Sequence, residues 1–264
     1  MSRISDRFAA LRQKGEKALV LFVTAGDPDL AELPRILSAL EDGGADIVEV
    51  GIPFSDPIAD GPVIQASSQR ALDRGVTPGA VLEAVASASV EVPVVLMGYY
   101  NPILRLGLED FARRAADAGA SATIVSDLTP EESEEWVAAS RRFGLDNVFL
   151  AAPTSTDERL EEVCRRASGF VYAVSRTGVT GAQSSVSPEV ESLVGRLRSR
   201  TELPICVGFG ISRPEHVSTV CRVADGAVVG SWLVQKLAEE WNDGNGAGRL
   251  VEEIRSLKKA TRVG

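Results

Sequence analysis

Eight short apolar runs, each followed by a punctuated loop and then a stretch of helical periodicity, recur along this chain, and no other feature narrows its fold as much. They are Ala18 to Thr24, Asp46 to Gly51, Val92 to Met97, Ala122 to Ser126, Asn147 to Ala151, Phe170 to Val174, Pro204 to Gly208 and Asp225 to Val229. Between them lie amphipathic stretches: Leu30 to Asp42, Val63 to Arg74 with Pro78 to Ser89, Leu108 to Ala118, Glu131 to Phe143, Asp157 to Ala167, Pro188 to Arg200, Pro214 to Val223, and a tail from Trp232 onward. Strands alternating with helices predict a parallel sheet. Eight such units in 264 residues predict an α/β fold, a single (β/α)8 TIM barrel spanning residues 1–264 as one domain. The competing doubly wound sheet needs a Gly-x-Gly-x-x-Gly turn after its first strand, and Thr24-Ala25-Gly26-Asp27-Pro28 stands there instead. An added N-terminal helix is expected, because Ile4, Phe8 and Leu11 share a face and Gly15 is a stop. It is placed to cover the bottom of the barrel. The Gly-rich stretch Asn242 to Gly248 is expected to break the last helix in two.

Charge and reactive residues exclude several function classes. With 28 Lys and Arg against 37 Asp and Glu, the net charge is −9 and no basic cluster occurs, which argues against nucleic acid or an anionic membrane as the main partner. An anionic small molecule remains open, since backbone N–H groups can hold a phosphate. Three cysteines, Cys164, Cys206 and Cys221, show no C-x-x-C spacing and read as buried reduced thiols. The one histidine, His216, sits in a polar context at an expected helix start, so a site needing two imidazoles is impossible. Residues Met1 to Leu11 lack the apolar core of a signal peptide, and no run is long enough to span a membrane, so a cytoplasmic location is expected.

In a barrel of this kind the chemistry sits in the loops after the strands. Two of those loops are long: Gly51 to Pro62 after the second strand, and Ser175 to Gln183 after the sixth. Glu49 alternates in phase with Ile47 and so faces inward, where desolvation would make it an acid or base near neutral pH; on the residues alone it is equally a Glu paired with an Arg or set at the edge of the barrel. Asp60 can fold back over the barrel mouth as a second carboxylate, although on the residues alone an Asx-turn or N-cap before Gly61-Pro62 is favoured, and Asp56 competes with it for that role. Gly208-Phe209-Gly210 ends the seventh strand and Gly230-Ser231 the eighth, where phosphate binds recurrently in this fold, with Gly181 as a further backbone donor. The residues alone thus point to a barrel acting on a phosphorylated metabolite with carboxylates and no imidazole.

The run from Val48 to Gln65, VEVGIPFSDPIADGPVIQ, closely resembles the signature of the tryptophan synthase alpha subunit family. Tyr99-Tyr100-Asn101-Pro102-Ile103, Ser175 to Gly181 and Gly208 to Ser212 are similar to that family in the same order, so the likeness spans nearly the whole chain. The resemblance implies retro-aldol cleavage of indole-3-glycerol phosphate to indole and glyceraldehyde 3-phosphate in tryptophan biosynthesis. It implies Glu49 as the acid–base group and Asp60 as the partner of the indole N–H. Phe22, Met97 and Phe209 would bracket the indole and Tyr172 would lie near the glycerol end; Thr180 would close the lid and orient Asp60. Gly181, Gly210, Gly230 and Ser231 would cradle the phosphate. It further implies no cofactor in this chain, and a pyridoxal-phosphate beta subunit that receives indole through a tunnel in an allosteric assembly of two alpha and two beta subunits. Loops 2 and 6 and the Asn101-Pro102 region would face that partner.

Two departures from the family pattern are Gly98, where relatives carry Thr or a larger residue, and Ser126-Asp127-Leu128-Thr129 in place of Pro-Asp-Leu-Pro. Gly98 is expected to loosen the loop after the third strand. Competing functions are a stand-alone lyase that releases free indole and a catalytically silent allosteric partner. A metal-dependent phosphosugar epimerase is disfavoured by the single histidine.

Overall fold

A computed structural model describes residues 2–174, 187–208 and 210–262. Eight parallel strands follow one another around a closed barrel in sequence order. They are β1 (Ala18–Thr24), β2 (Ile47–Gly51), β3 (Val94–Gly98), β4 (Ala120–Val125), β5 (Asp146–Ala151), β6 (Val171–Val174), β7 (Ile205–Gly208) and β8 (Gly226–Val229). Closure is made by β8 pairing back onto β1, with Val20 opposite Val228. The TIM barrel expected from the repeat is the fold observed, and its strand boundaries lie within two residues of those read from the apolar runs.

The strands read as nearly continuous apolar runs because both of their faces are covered. On β1, Ala18 and Val20 join the cluster inside the barrel, whereas Leu19, Leu21 and Val23 join the cluster under the helices. The outer layer comprises, among the described residues, α2 (Leu33–Gly43), α3 (Pro62–Asp73), α4 (Pro78–Ala86), α5 (Tyr100–Leu106), α6 (Leu108–Asp117), α7 (Glu134–Arg142), α8 (Asp157–Arg166), α9 (Pro188–Arg198), α10 (Pro214–Cys221), α11 (Ser231–Glu240) and α12 (Gly246–Lys259). Before the barrel stands α1 (Arg3–Gln13), capped by the Ser2 hydroxyl, which accepts from the Ser5 amide at 3.3 Å. Its Ile4, Phe8 and Leu11 belong to the interior cluster, and the Phe8 ring lies 6.2 Å from that of Phe170, the residue just before β6. The helix therefore plugs the N-terminal end, and the opposite end is left for the site.

Three expectations need correction. Tyr100 to Leu106 is a helix rather than loop. Pro102 sits in its first turn, where a missing N–H costs nothing, and the Asp127 carboxylate accepts from the Tyr100 amide at 2.7 Å in place of a local cap. The stretches read as single helices from Leu30 and from Glu131 each begin with a separate 3-10 turn, Leu30–Glu32 and Pro130–Glu132, before α2 and α7 start. Cys164, read as buried, is half-buried on α8, while Cys206 and Cys221 are buried. At Gly98 a Cβ would meet Ile52 at 3.6 Å, an ordinary contact, and the Gly98 carbonyl accepts from the Ser126 amide at 2.9 Å. The break in the last helix falls where expected, with α12 starting at Gly246.

Candidate active site

Register brings the inward residues of β1, β2 and β3 into two successive levels: Phe22 pairs with Glu49 and Glu49 with Val95, and one inward step above them Gly51 pairs with Met97. Glu49 stands one inward step above Ile47, has no exposed surface, and neither of its carboxylate oxygens has a hydrogen-bond partner among the described residues. Burial without compensation pushes its carboxyl up to about 8, so it is protonated at neutral pH. A neutral carboxylic acid in an apolar wall is a proton donor waiting for a substrate atom.

The second carboxylate arrives on the loop between β2 and α3. The Ile52 amide donates to the Met97 carbonyl at 2.8 Å, the Asp60 amide to the Pro57 carbonyl at 3.0 Å, and the Gln65 side-chain amide to the Asp60 carbonyl at 2.9 Å. These bonds fold the loop back over the barrel mouth. Burial raises the Asp60 carboxyl to about 6 against the opposing effect of a hydrogen bond from the Tyr99 hydroxyl, leaving Asp60 ionised at pH 7. Asp56, its rival in the sequence, is exposed and accepts from the Ser55 hydroxyl at 2.5 Å. Two carboxyl groups with opposite protonation states at one barrel mouth can serve as an acid and an anion.

Aromatic side chains occupy space that inward-facing glycines leave for them. A Cβ at Gly208 would stand 2.5 Å from the Tyr172 hydroxyl oxygen, and one at Gly51 would stand 2.6 Å from Phe22 Cζ. Tyr172 faces inward on β6, in register with Cys206. Burial, with the Glu49 charge adding to it, holds the Tyr172 hydroxyl protonated well above the usual tyrosine range. Phe22 is 5% exposed and Met97 half-buried, both at the upper ends of their strands.

At the far side of the mouth, Gly210 has φ +64°, a conformation glycine favours. Gly230 precedes α11, whose first turn has no side-chain cap, and the first residue of that helix, Ser231, is exposed. A Cβ at Gly230 would only brush Phe22 and Ile64, at 3.8 and 3.9 Å. Uncapped amides at a helix start can bind an anion. Thr180, Gly181 and Phe209 lie outside the described residues.

Sequence reasoning missed Tyr99. It is 4% exposed and its hydroxyl accepts from the Ala59 amide at 3.1 Å, which sets the phenol beside the Asp60 carboxyl, whose charged form it favours. A tyrosine just past an apolar strand was the available signal, because a buried phenol must find a hydrogen-bond partner.

The chain matches the family model described as "Tryptophan synthase alpha chain" over residues 8–262. A tryptophan synthase alpha chain from Citrifermentans bemidjiense is 52% identical, with 100% of this chain and 98% of the relative covered. One from Geobacter sulfurreducens is 50% identical over 99% of this chain and 98% of its own length. Among solved structures, tryptophan synthase from Mycobacterium tuberculosis superposes with TM-score 0.91 at 39% identity, covering 100% of this chain and 99% of that one. The alpha subunit from Legionella pneumophila superposes with TM-score 0.90 at 35% identity, covering 99% and 98%.

Proposed function

Since the chain belongs to the tryptophan synthase alpha chain family, we propose that Glu49 and Asp60 perform the cleavage that defines that family. The chain is a lyase of tryptophan biosynthesis that splits indole-3-glycerol phosphate into indole and glyceraldehyde 3-phosphate. The carrying observation is Glu49, fully buried on the inner barrel wall with both oxygens unpartnered among the described residues and its carboxyl raised to about 8.

In this reading neutral Glu49 donates its proton to indole C3, and the ring nitrogen takes up positive charge. The Asp60 carboxylate stabilises that charge by accepting the indole N–H. The bond between C3 and the adjoining glycerol carbon then breaks, and its electron pair restores the indole ring. The hydroxyl on that carbon becomes the aldehyde as its proton passes to the Glu49 carboxylate, which returns the acid to its starting state. Phe22, Met97 and Phe209 bracket the ring, and Tyr172 meets the glycerol end. The amides of Gly181 and Gly210, with those of Gly230 and Ser231 at the start of α11, hold the phosphate; the uncapped first turn of α11 supports this. Thr180 closes over Asp60 and excludes water.

No step of this chemistry needs a cofactor in this chain; pyridoxal phosphate belongs to the beta subunit. We place the chain in the cytoplasm as the alpha member of an assembly of two alpha and two beta subunits. Among the described residues no helix is long and apolar enough to cross a membrane. The large apolar side chains most exposed among the described residues, Ile58 (78%) in the loop after β2 and Leu104 (48%) on α5, suit a protein partner above the barrel mouth.

Indole release from indole-3-glycerol phosphate, with and without a beta subunit, tests the assignment. Weak activity that rises on adding the partner is expected, and Glu49→Gln should lower it by about a hundredfold or more without changing the fold. High activity indifferent to the partner would instead mark a stand-alone lyase, and silence under both conditions a scaffold.

A further inference from the structure

We propose that Tyr99 is the positioning residue for Asp60, holding the carboxylate over the barrel mouth by bonding the Ala59–Asp60 segment with its hydroxyl while its ring packs on Phe54 at the other end of the same loop. The inference rests on the reading of Asp60 as the group that meets the indole N–H.

The anchor is built into the barrel wall rather than the loop it holds. Tyr99 follows β3 directly and precedes α5. The backbone on either side of it is tied to the neighbouring β4 connection, by the Ser126 amide donating to the Gly98 carbonyl at 2.9 Å and the Tyr100 amide donating to the Asp127 carboxylate at 2.7 Å. From this fixed base the phenol reaches under the loop after β2. Its ring stacks on Phe54 with centroids 5.0 Å apart and planes 27° apart.

The direction of the hydrogen bonds follows from the donors available. A phenol carries one proton and can accept as well. Because the Ala59 amide donates to the Tyr99 oxygen at 3.1 Å, the phenol proton is free for the Asp60 carboxylate. A donor aimed at a carboxylate favours its charged form, which opposes the burial that raises Asp60. The hydroxyl therefore sets both where the anion sits and whether it is an anion. The titratable groups that act on this pair come from three further elements: Tyr172 on β6 faces Asp60, Glu49 on β2 faces Tyr172, and Asp127 after β4 faces Tyr99. These three act by charge at a distance, Asp127 by opposing negative charge on Tyr99.

Tyr99→Phe keeps the ring and its packing and removes only the hydroxyl. Assayed with a beta subunit present, it should lose about tenfold or more in kcat/KM, the scale of one hydrogen bond to a charged group, chiefly through kcat. The acid limb of its pH profile should move to higher pH. A carbon-13 titration of the Asp60 carboxyl, which needs folded protein but no turnover, should move the same way from its wild-type value of about 6. Tyr99→Leu, lacking the stacked ring as well, should lose more. A Tyr99→Phe variant with the wild-type pH profile and an unmoved Asp60 titration overturns the inference, even if its activity is lower, because a merely structural role predicts that pattern. Asp60→Asn separates the two readings. If it is inactive while Tyr99→Phe behaves as wild type, only the role of Tyr99 falls; if it turns over normally, the reading of Asp60 falls and the role of Tyr99 with it.

Discussion

Glu49 is an ionisable side chain with no exposed surface and no partner for either oxygen among the described residues, which folding tolerates only in its neutral form. Its carboxyl titrates at 4.5 when unperturbed and at about 8 in the folded protein, so between those values the folded chain holds a proton that the unfolded chain has released. The stability it contributes is complete below about 4.5 and is lost as pH rises through about 8. Glu49→Gln has no such dependence. Its melting temperature should gain on that of the wild type as pH is raised across this window, and a constant difference would show that Glu49 is not held as a neutral acid. Glycine 208 matters for the opposite reason, since it contributes space. With a Cβ there only 2.5 Å from the Tyr172 hydroxyl oxygen, Gly208→Ala must displace the ring. The variant should fold, lose about tenfold or more in kcat/KM, and cost on the order of 1–3 kcal/mol in urea unfolding. An unchanged kcat/KM would place Tyr172 outside the reaction.

At the scale of elements, helix α3 carries the loop after β2 back to the barrel, and its own anchorage is polar. The Ser67 hydroxyl donates to that of Thr24 at the top of β1 at 2.5 Å. Arg70 donates twice to the Asp27 carboxylate, at 3.0 and 2.6 Å. Asp27 is 4% exposed, so Arg70→Ala strands a buried carboxylate. Arg70 is itself partly solvated and Arg74 stands 3.7 Å from Asp27, so the expected cost is about 2 kcal/mol rather than the full penalty of a buried pair. Urea unfolding reads it directly, and a loss below about 0.5 kcal/mol would mean that Arg74 takes over. The strands and most helices were legible because their signals are local: apolar runs, helical periodicity, and Pro at the first turns of α3, α4, α9 and α10. Helix α5 was not legible. Its Tyr-Asn-Pro start carries turn chemistry, and the cap that stabilises it comes from Asp127, 27 residues away.

For the molecule as a whole, the roles proposed for the two carboxyl groups predict one activity profile. The competent form has Asp60 ionised and Glu49 protonated, so kcat/KM should fall below about 6, as Asp60 gains its proton, and above about 8, as Glu49 loses its own. A profile flat across both limbs would detach these residues from the reaction. The sequence by itself determined the eight-fold repeat, the helix set to plug the bottom, and the inward phase of Glu49, because alternation and periodicity are written between near neighbours. Spacing left Asp56 and Asp60 as rivals, the family resemblance alone chose Asp60, and neither gave Tyr99 a role. Only closure of the barrel places these side chains relative to one another. Bringing β2, β3, β6 and β7 to one mouth depends on strand register and twist summed around the ring. That sum alone sets the Tyr99 hydroxyl against Asp60, lays Tyr172 over Gly208, and leaves Asp56 in solvent.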